Sequence, residues 1–367
     1  MLFNFEDLNL QTLEKKIRAE ERLSFDDGVI LWNSFDLLGV GYLANIVRER
    51  IHGNDTYFIH NRHINPTNVC VLSCQFCAFG VKADHPQAYE KSLEEIFSDA
   101  EKYNGGEVSE FHIVGGLHPD YPFEYYLDLL KGLKVRFPAV HIQAYTAVEL
   151  EYLSRLAHLP LKETMEVLKE SGLGSIPGGG AEIFAKRVRR KICGDKITGE
   201  EWLQVHEIAH SVGLKSNATM LYGHIEKPEH IVDHLIKIRE LQKKTKGFVT
   251  LIPLKFSLDN TELEQDNLVN NECSSVYDLR ITALSRLMLA NTLNNISVYW
   301  VAYGKKLAQV ALSNGGSDLV GTAFSEEIYR AAGKPTTSSV DELATMVKEV
   351  GRIPAQRNTH FDILKHF

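Results

Sequence analysis

No stretch of this sequence is long and apolar enough to span a bilayer. The longest candidate, Leu37 to Val47, is broken by glycines and Asn45 and falls short of the roughly 18 residues a span needs. The opening, Met1-Leu2-Phe3-Asn4-Phe5-Glu6-Asp7, has neither the basic region nor the apolar core of a secretion signal. A basic excess is also missing: 40 Lys and Arg face 48 Asp and Glu, mixed along the whole chain, which leaves no footprint for nucleic acid. The expectation is a cytoplasmic protein, with no membrane or nucleic-acid partner, that acts on a small molecule. Cysteine is scarce, five in 367 residues, and three of the five crowd between positions 70 and 77 while Cys193 and Cys273 stand apart. That is no secreted disulfide framework, and it leaves reduced thiols free to bind metal. No internal repeat, low-complexity tract or Pro/Ser-rich linker marks a second domain.

What is present is an alternation. From about residue 56, short apolar or β-branched runs alternate with longer segments of helical period, the pattern of a parallel sheet wrapped by helices. Strands are expected at 57–64, 110–116, 140–146, 174–177, 216–223, 248–256, 296–303 and 318–321. Eight of them, in a chain longer than the roughly 250 residues typical of one barrel, predict an α/β fold: a closed or nearly closed TIM-like (β/α) barrel over 56–321. Helical extensions are expected at 1–55 and 322–367. Between strands, Leu93, Ile96, Phe97 and Ala100 form an apolar stripe begun by Ser92 with Glu95 and stopped at Gly105. Trp202, Val205, Ala209 and Val212, ended by Gly213, form another, and Ile231, Leu235, Ile238 and Leu241, ended by Gly247, a third.

Directly after the first expected strand, Cys70, Cys74 and Cys77 stand at C-x3-C-x2-C spacing, in a segment that Pro66 and its polar neighbours take out of strand geometry. A 4Fe-4S cluster ordinarily takes four thiolates, so three in one loop with no clear fourth leave one iron open to a ligand. Structural zinc is the alternative, with His60, His63 or His85 as a fourth ligand. The spacing, with Phe76 before the last cysteine, resembles the radical S-adenosylmethionine (SAM) superfamily. There the open iron chelates the amino and carboxylate groups of SAM, and reduction yields a 5′-deoxyadenosyl radical.

Glycine-rich segments follow at strand ends, where a barrel carries its active site. Gly115 and Gly116 let a ligand approach the backbone, and the resemblance implies that they meet the methionine end of SAM. After the fourth strand comes Pro177-Gly178-Gly179-Gly180-Ala181-Glu182. Three consecutive glycines imply a close approach or a strained turn, and Glu182 is placed either to meet a ribose hydroxyl or to cap a helix. Asn217, Thr219 and His224 are polar groups in or just after the fifth strand. They are candidates to touch SAM or substrate, with a structural role for His224 as the alternative.

Together with Asn61 to Asn68, His112 to Pro119, Ala144 to Glu149 and Gly172 to Ser175, these segments resemble the aminofutalosine synthases of the futalosine route to menaquinone. The resemblance implies a transferase that joins the adenosyl group of SAM to 3-[(1-carboxyvinyl)oxy]benzoate. Aryl migration and decarboxylation then give 6-amino-6-deoxyfutalosine. It counts Thr146 and Glu149 with Gly115, Gly116, Asn217 and Thr219 as SAM-binding, makes Glu182 and His224 catalytic, and calls for an external electron donor such as flavodoxin or ferredoxin. A dianionic substrate needs cations, for which Arg62, Arg189, Lys196, His224 and Arg286 are the candidates. Two other readings stay open, a cyclase acting on dehypoxanthine futalosine and a non-catalytic metal-binding barrel.

Overall fold

Three helices, Asn9–Arg18, Phe25–Asn33 and Leu37–His52, open the computed structural model, which describes residues 3–102 and 108–367. Each start is chemically marked where the sequence allows it. Ser24 and Asp27 form a reciprocal capping box, and the Asp36 carboxylate accepts the Gly39 amide. Leu10, Leu13, Ile17 and Leu43 are buried, whereas Leu38 is exposed. The third helix packs along the later helix Ser275–Leu289, so the amino-terminal segment flanks the barrel.

The strands follow as β1 (Asp55–Ile59), β2 (Asn61–Ile64), β3 (Glu110–Ile113), β4 (His141–Ala144), β5 (Ser175–Ile176), β6 (Lys215–Tyr222), β7 (Phe248–Lys255), β8 (Asp318–Gly321), β9 (Ile353–Arg357) and β10 (Ile363–His366). From β2 to β7 they lie in chain order, all parallel, with one or two helices in each crossover. Single parallel bridges from Leu251 to Ile296 and from Ser297 to Asp318 carry the ladder on to β8. β8 pairs with β1, which leads into β2. The parallel pairings therefore run round a ring, and the α/β barrel expected from the alternation is the observed fold.

Three local expectations differ. The first strand is divided at His60, because β1 pairs with β8 and β9 whereas β2 pairs with β3, and the change of partner interrupts the ladder. The run Ile296 to Tyr303 pairs only at its first two residues, and Trp300–Tyr303 is a turn of helix. Its aromatic and β-branched residues carry strand propensity, but the Trp300 indole N–H reaches the Gly321 carbonyl at 2.8 Å, and tertiary context wins. The stretch after Gly321 is not purely helical: beyond helix Val340–Glu349 the chain lays β9 parallel to β1 and folds β10 back on it. Pro354 inside β9 hides that strand from a propensity reading.

Most of each stripe is buried, namely Ile96 and Ala100, then Trp202, Val205 and Ala209, then Ile231, Leu235, Ile238 and Leu241, while Leu93, Phe97 and Val212 are half-buried. Ser92 and Glu95 exchange the expected capping bonds, while Gly105 lies outside the described residues. The helix of the third stripe, Pro228–Thr245, has Lys246 in the left-handed cap that Gly247 was expected to provide. Among the described residues no helix is long and apolar enough to cross a membrane.

Candidate active site

Alternate residues of a strand face the same way, and inside the ring they surround a cavity of about 170 Å³. Asn61 and His63 of β2, Glu110 and His112 of β3, Gln143 of β4, Asn217 and Thr219 of β6 and Ile252 and Leu254 of β7 line it. The lining is largely apolar, and its polar groups are cross-braced. The Gln143 side-chain oxygen accepts from His112 Nδ1 at 3.0 Å and from the Asn217 amide at 3.2 Å, while its nitrogen donates to Ser175 Oγ at 3.2 Å. The rings of His63 and His112 lie 4.6 Å apart. Burial holds both imidazoles below their ordinary range.

Above β2 the chain enters the cysteine loop, whose backbone is tied down along its length. Gly116 N–H donates to Thr67 O, Val71 N–H to Leu117 O, Cys70 N–H to Val81 O and Gln75 N–H to Ile192 O, all at 2.8–3.0 Å. The Lys82 ammonium gathers the Val71 and Leu72 carbonyls at 2.8 and 3.0 Å. Cys70, Cys74 and Cys77 are all half-buried. A side chain at Gly80 would lie 3.4 Å from Cys70 Cβ and 3.6 Å from Cys77 Sγ, so these two cysteines flank one spot, and the Gly80 amide donates to Cys77 Sγ at 3.2 Å. Burial pushes the Cys74 thiol up to about 12, against the pull of Lys196.

The donor set fits a cluster with three protein thiolates. Zinc would need a fourth ligand. His63 stacks near His112 in the cavity, His60 lies edge-on to Phe324, and the exposed His85 accepts the Gln87 amide.

The glycine runs surround the loop and the cavity mouth. The Glu149 carboxylate accepts Gly115 N–H at 3.2 Å and Thr146 N–H at 2.7 Å, and Thr146 Oγ1 accepts Glu149 N–H at 3.3 Å. A capping box at helix Ala147–Ala157 thereby also holds the glycine pair. Burial pushes the Glu149 carboxyl up to about 7, against these hydrogen bonds. A Cβ on Gly116 would overlap the Val69 carbonyl, so the space at that glycine is filled by the cysteine loop and not left open for a ligand. Gly178 lies against the β6 backbone, where a Cβ would be 2.7 Å from Asn217 O, and its carbonyl accepts Thr219 Oγ1–H at 2.5 Å. Gly179 touches Thr146 in the same way, and Gly180 (φ +90°) uses a conformation L side chains rarely adopt. Thr146, Gly178, Gly179, Asn217 and Thr219 thus share one wall of the cavity.

A family model described as the radical SAM superfamily matches residues 64–238, and one described as the CofH/MqnC C-terminal region matches 245–366. Aminodeoxyfutalosine synthase of Thermus thermophilus is 42% identical over 355 residues, 96% of this chain and 95% of the relative. The chain belongs to the radical SAM superfamily. As a radical SAM enzyme it uses a 4Fe-4S cluster and SAM, and the resemblance to the aminofutalosine synthases holds along the chain. Aminodeoxyfutalosine synthase of Streptomyces coelicolor is 38% identical over 97% of this chain and 94% of its own. A Methanopyrus kandleri relative, 5-amino-6-(D-ribitylamino)uracil–L-tyrosine 4-hydroxyphenyl transferase, is 36% identical over 88% of each. In fold the chain is similar to the hydrogenase maturase HydG of Carboxydothermus hydrogenoformans (TM-score 0.74, 18% identity, 96% and 80% covered) and to methylornithine synthase (TM-score 0.73, 17% identity, 94% and 97% covered).

The remaining sequence-based candidates of this radical SAM enzyme do not line the cavity. Glu182, buried and in the left-handed region (φ +44°), pairs with Lys196 at 2.6 Å. The His224 side chain is buried, accepts the Ile225 amide on Nδ1 at 2.7 Å and lies 3.0 Å from Glu226. Arg189 is consumed by the carbonyls of Gly180, Ala181 and Ile197, and Arg286 by those of Gly315 and Asn294 with Ser317 Oγ. Arg62 sits buried on β2.

The cation that does line the cavity is Arg357, held by Asp318 at 2.7 Å, with Thr359 beside it donating to Glu110 at 2.7 Å. Both come from the carboxy-terminal stretch. No spacing or motif in the sequence announces them, because their relation to the cavity exists only through the pairing of β9 with β1.

Proposed function

We propose that this radical SAM enzyme joins the adenosyl group of SAM to 3-[(1-carboxyvinyl)oxy]benzoate, with aryl migration and decarboxylation, to give 6-amino-6-deoxyfutalosine. The observation that carries the reading is the 42% and 38% identity to two aminodeoxyfutalosine synthases over nearly the whole chain. In this reading Cys70, Cys74 and Cys77 hold the cluster, which when bound supplies the electron that splits SAM. Thr146, Asn217 and Thr219 contact SAM along the cavity wall. Gly115 and Gly116 act through the backbone that Glu149 fixes, at the methionine end. Glu182 acts from beside the loop.

The acceptor takes the cavity below, where Arg357, clamped by Asp318, still has unused N–H donors for a carboxylate. Enclosure of the cavity keeps water from a reactive intermediate. The electron donor is a flavodoxin or ferredoxin, and the setting is the cytoplasm.

The transferase relatives at 36% identity favour a second reading, in which tyrosine and 5-amino-6-(D-ribitylamino)uracil are the substrates. Offering the reduced, reconstituted enzyme each substrate set separately, with dehypoxanthine futalosine as a third arm, decides among them by SAM consumed per minute. Consumption above the substrate-free rate is expected only with 3-[(1-carboxyvinyl)oxy]benzoate. Stimulation by tyrosine with the uracil, or by dehypoxanthine futalosine, would replace it.

A further inference from the structure

The segment between the second and third cysteines packs against a buried ion pair. Gln75 N–H donates to Ile192 O at 2.9 Å, which docks the loop on the last turn of helix Lys186–Cys193. Just beyond that helix Lys196 turns back, with its amide on Cys193 O at 3.1 Å. Its ammonium lies 4.9 Å from the ring of Phe76, the residue immediately before Cys77, and 2.6 Å from Glu182 Oε1. The two side chains are 15% and 7% exposed, so water screens neither charge well. The ammonium meets the loop at the Phe76 ring, so the positive end of the pair lies against the loop.

Charge near an iron-sulfur cluster is one of the levers that set its reduction potential. Taking up an electron makes the cluster more negative. A nearby cation stabilises that form, and a nearby carboxylate opposes it.

We propose that Lys196 and Glu182 are positioning residues that set the reduction potential of the cluster held at Cys74, with Lys196 raising it and Glu182 lowering it while fixing the ammonium against Phe76. The inference rests on the assignment of the cluster to Cys70, Cys74 and Cys77. It assigns the left-handed Glu182, at the end of the triple-glycine run, an electrostatic duty toward the cluster in addition to any contact with SAM.

The test is an anaerobic redox titration of the reconstituted holoenzyme without SAM, with mediator dyes and the EPR signal of the reduced cluster as readout. K196M is expected to move the midpoint to a more negative potential and E182Q to a more positive one, while K196R stays near the parent. A purely structural pair would not give opposite signs with rescue by arginine. Unchanged midpoints in K196M and E182Q, or shifts of the same sign in both, would overturn the inference. Should K196M not retain its cluster, E182Q decides alone, and a midpoint equal to or below the parent's counts against. A parent protein with no reducible cluster would instead refute the cysteine assignment.

Discussion

Three thiols can hold a cluster only if their loop is held, and the residues that hold it are as telling as the thiols. Cys74→Ala is expected to abolish iron incorporation, measured as iron and sulfide per chain after anaerobic reconstitution, while Cys273→Ala, whose thiol leans on Asp278 at 3.4 Å, retains it. Full iron in the Cys74 variant would refute the assignment. Gly116 shows how far a residue reading reaches. The sequence marked the glycine pair as a place of close approach, and close approach is what the structure has, but the approaching group is the Val69 carbonyl. Gly116→Ala should therefore push the loop away, at a cost of about 1–3 kcal/mol for overpacking, and lower iron content along with SAM binding. An alanine variant with a full cluster and weakened SAM binding would mean that the glycine makes room for the ligand after all. Asn217 and Thr219 were legible as polar residues in the fifth strand, Thr146 only through the family resemblance. His63, His112 and Gln143 were not, because a β-strand's inward face cannot be phased from alternation when both faces are buried.

At the scale of elements, the long helices and the β2 to β7 succession were readable because period and turn residues agree in each segment. β9 was not, since Pro354 argues against a strand and nothing local says that β1 offers it an edge. That strand supplies Arg357 to the cavity lining. Arg357 reaches across β1 to Asp318 of β8, making a buried ion pair with two hydrogen bonds, at 2.7 and 3.1 Å. Arg357→Met would leave the Asp318 carboxylate buried and uncompensated, and urea unfolding monitored by circular dichroism should show a loss of about 3–5 kcal/mol. A loss below 1 kcal/mol would mean that β9 contributes packing alone.

Over the whole molecule the titration behaviour is set by neutral imidazoles held inside. Burial pushes His52, His141 and His210 down to about 4 and His234 to about 3. In the unfolded chain each protonates near 6.5, so their contribution is complete above that pH and is lost as pH falls from about 6.5 toward 4. Glu149 and Glu326, which burial pushes up to about 7, act in the opposite direction, favouring the fold below about 4.5 and losing that contribution as pH rises to 7. Four imidazoles outweigh two carboxyls, so the apparent Tm should fall steadily from pH 7 to pH 5 in a melt of the protein; a Tm that rose over that range would contradict the burial of these histidines.

Adenosyl transfer is read out in the fate of the adenosyl group. With SAM labelled in its adenine and 3-[(1-carboxyvinyl)oxy]benzoate present, the reduced enzyme should transfer the label to a larger, adenine-containing product, which mass spectrometry identifies as the adduct after loss of one carboxylate. Stoichiometric 5′-deoxyadenosine, with no adenine-containing adduct, would contradict it.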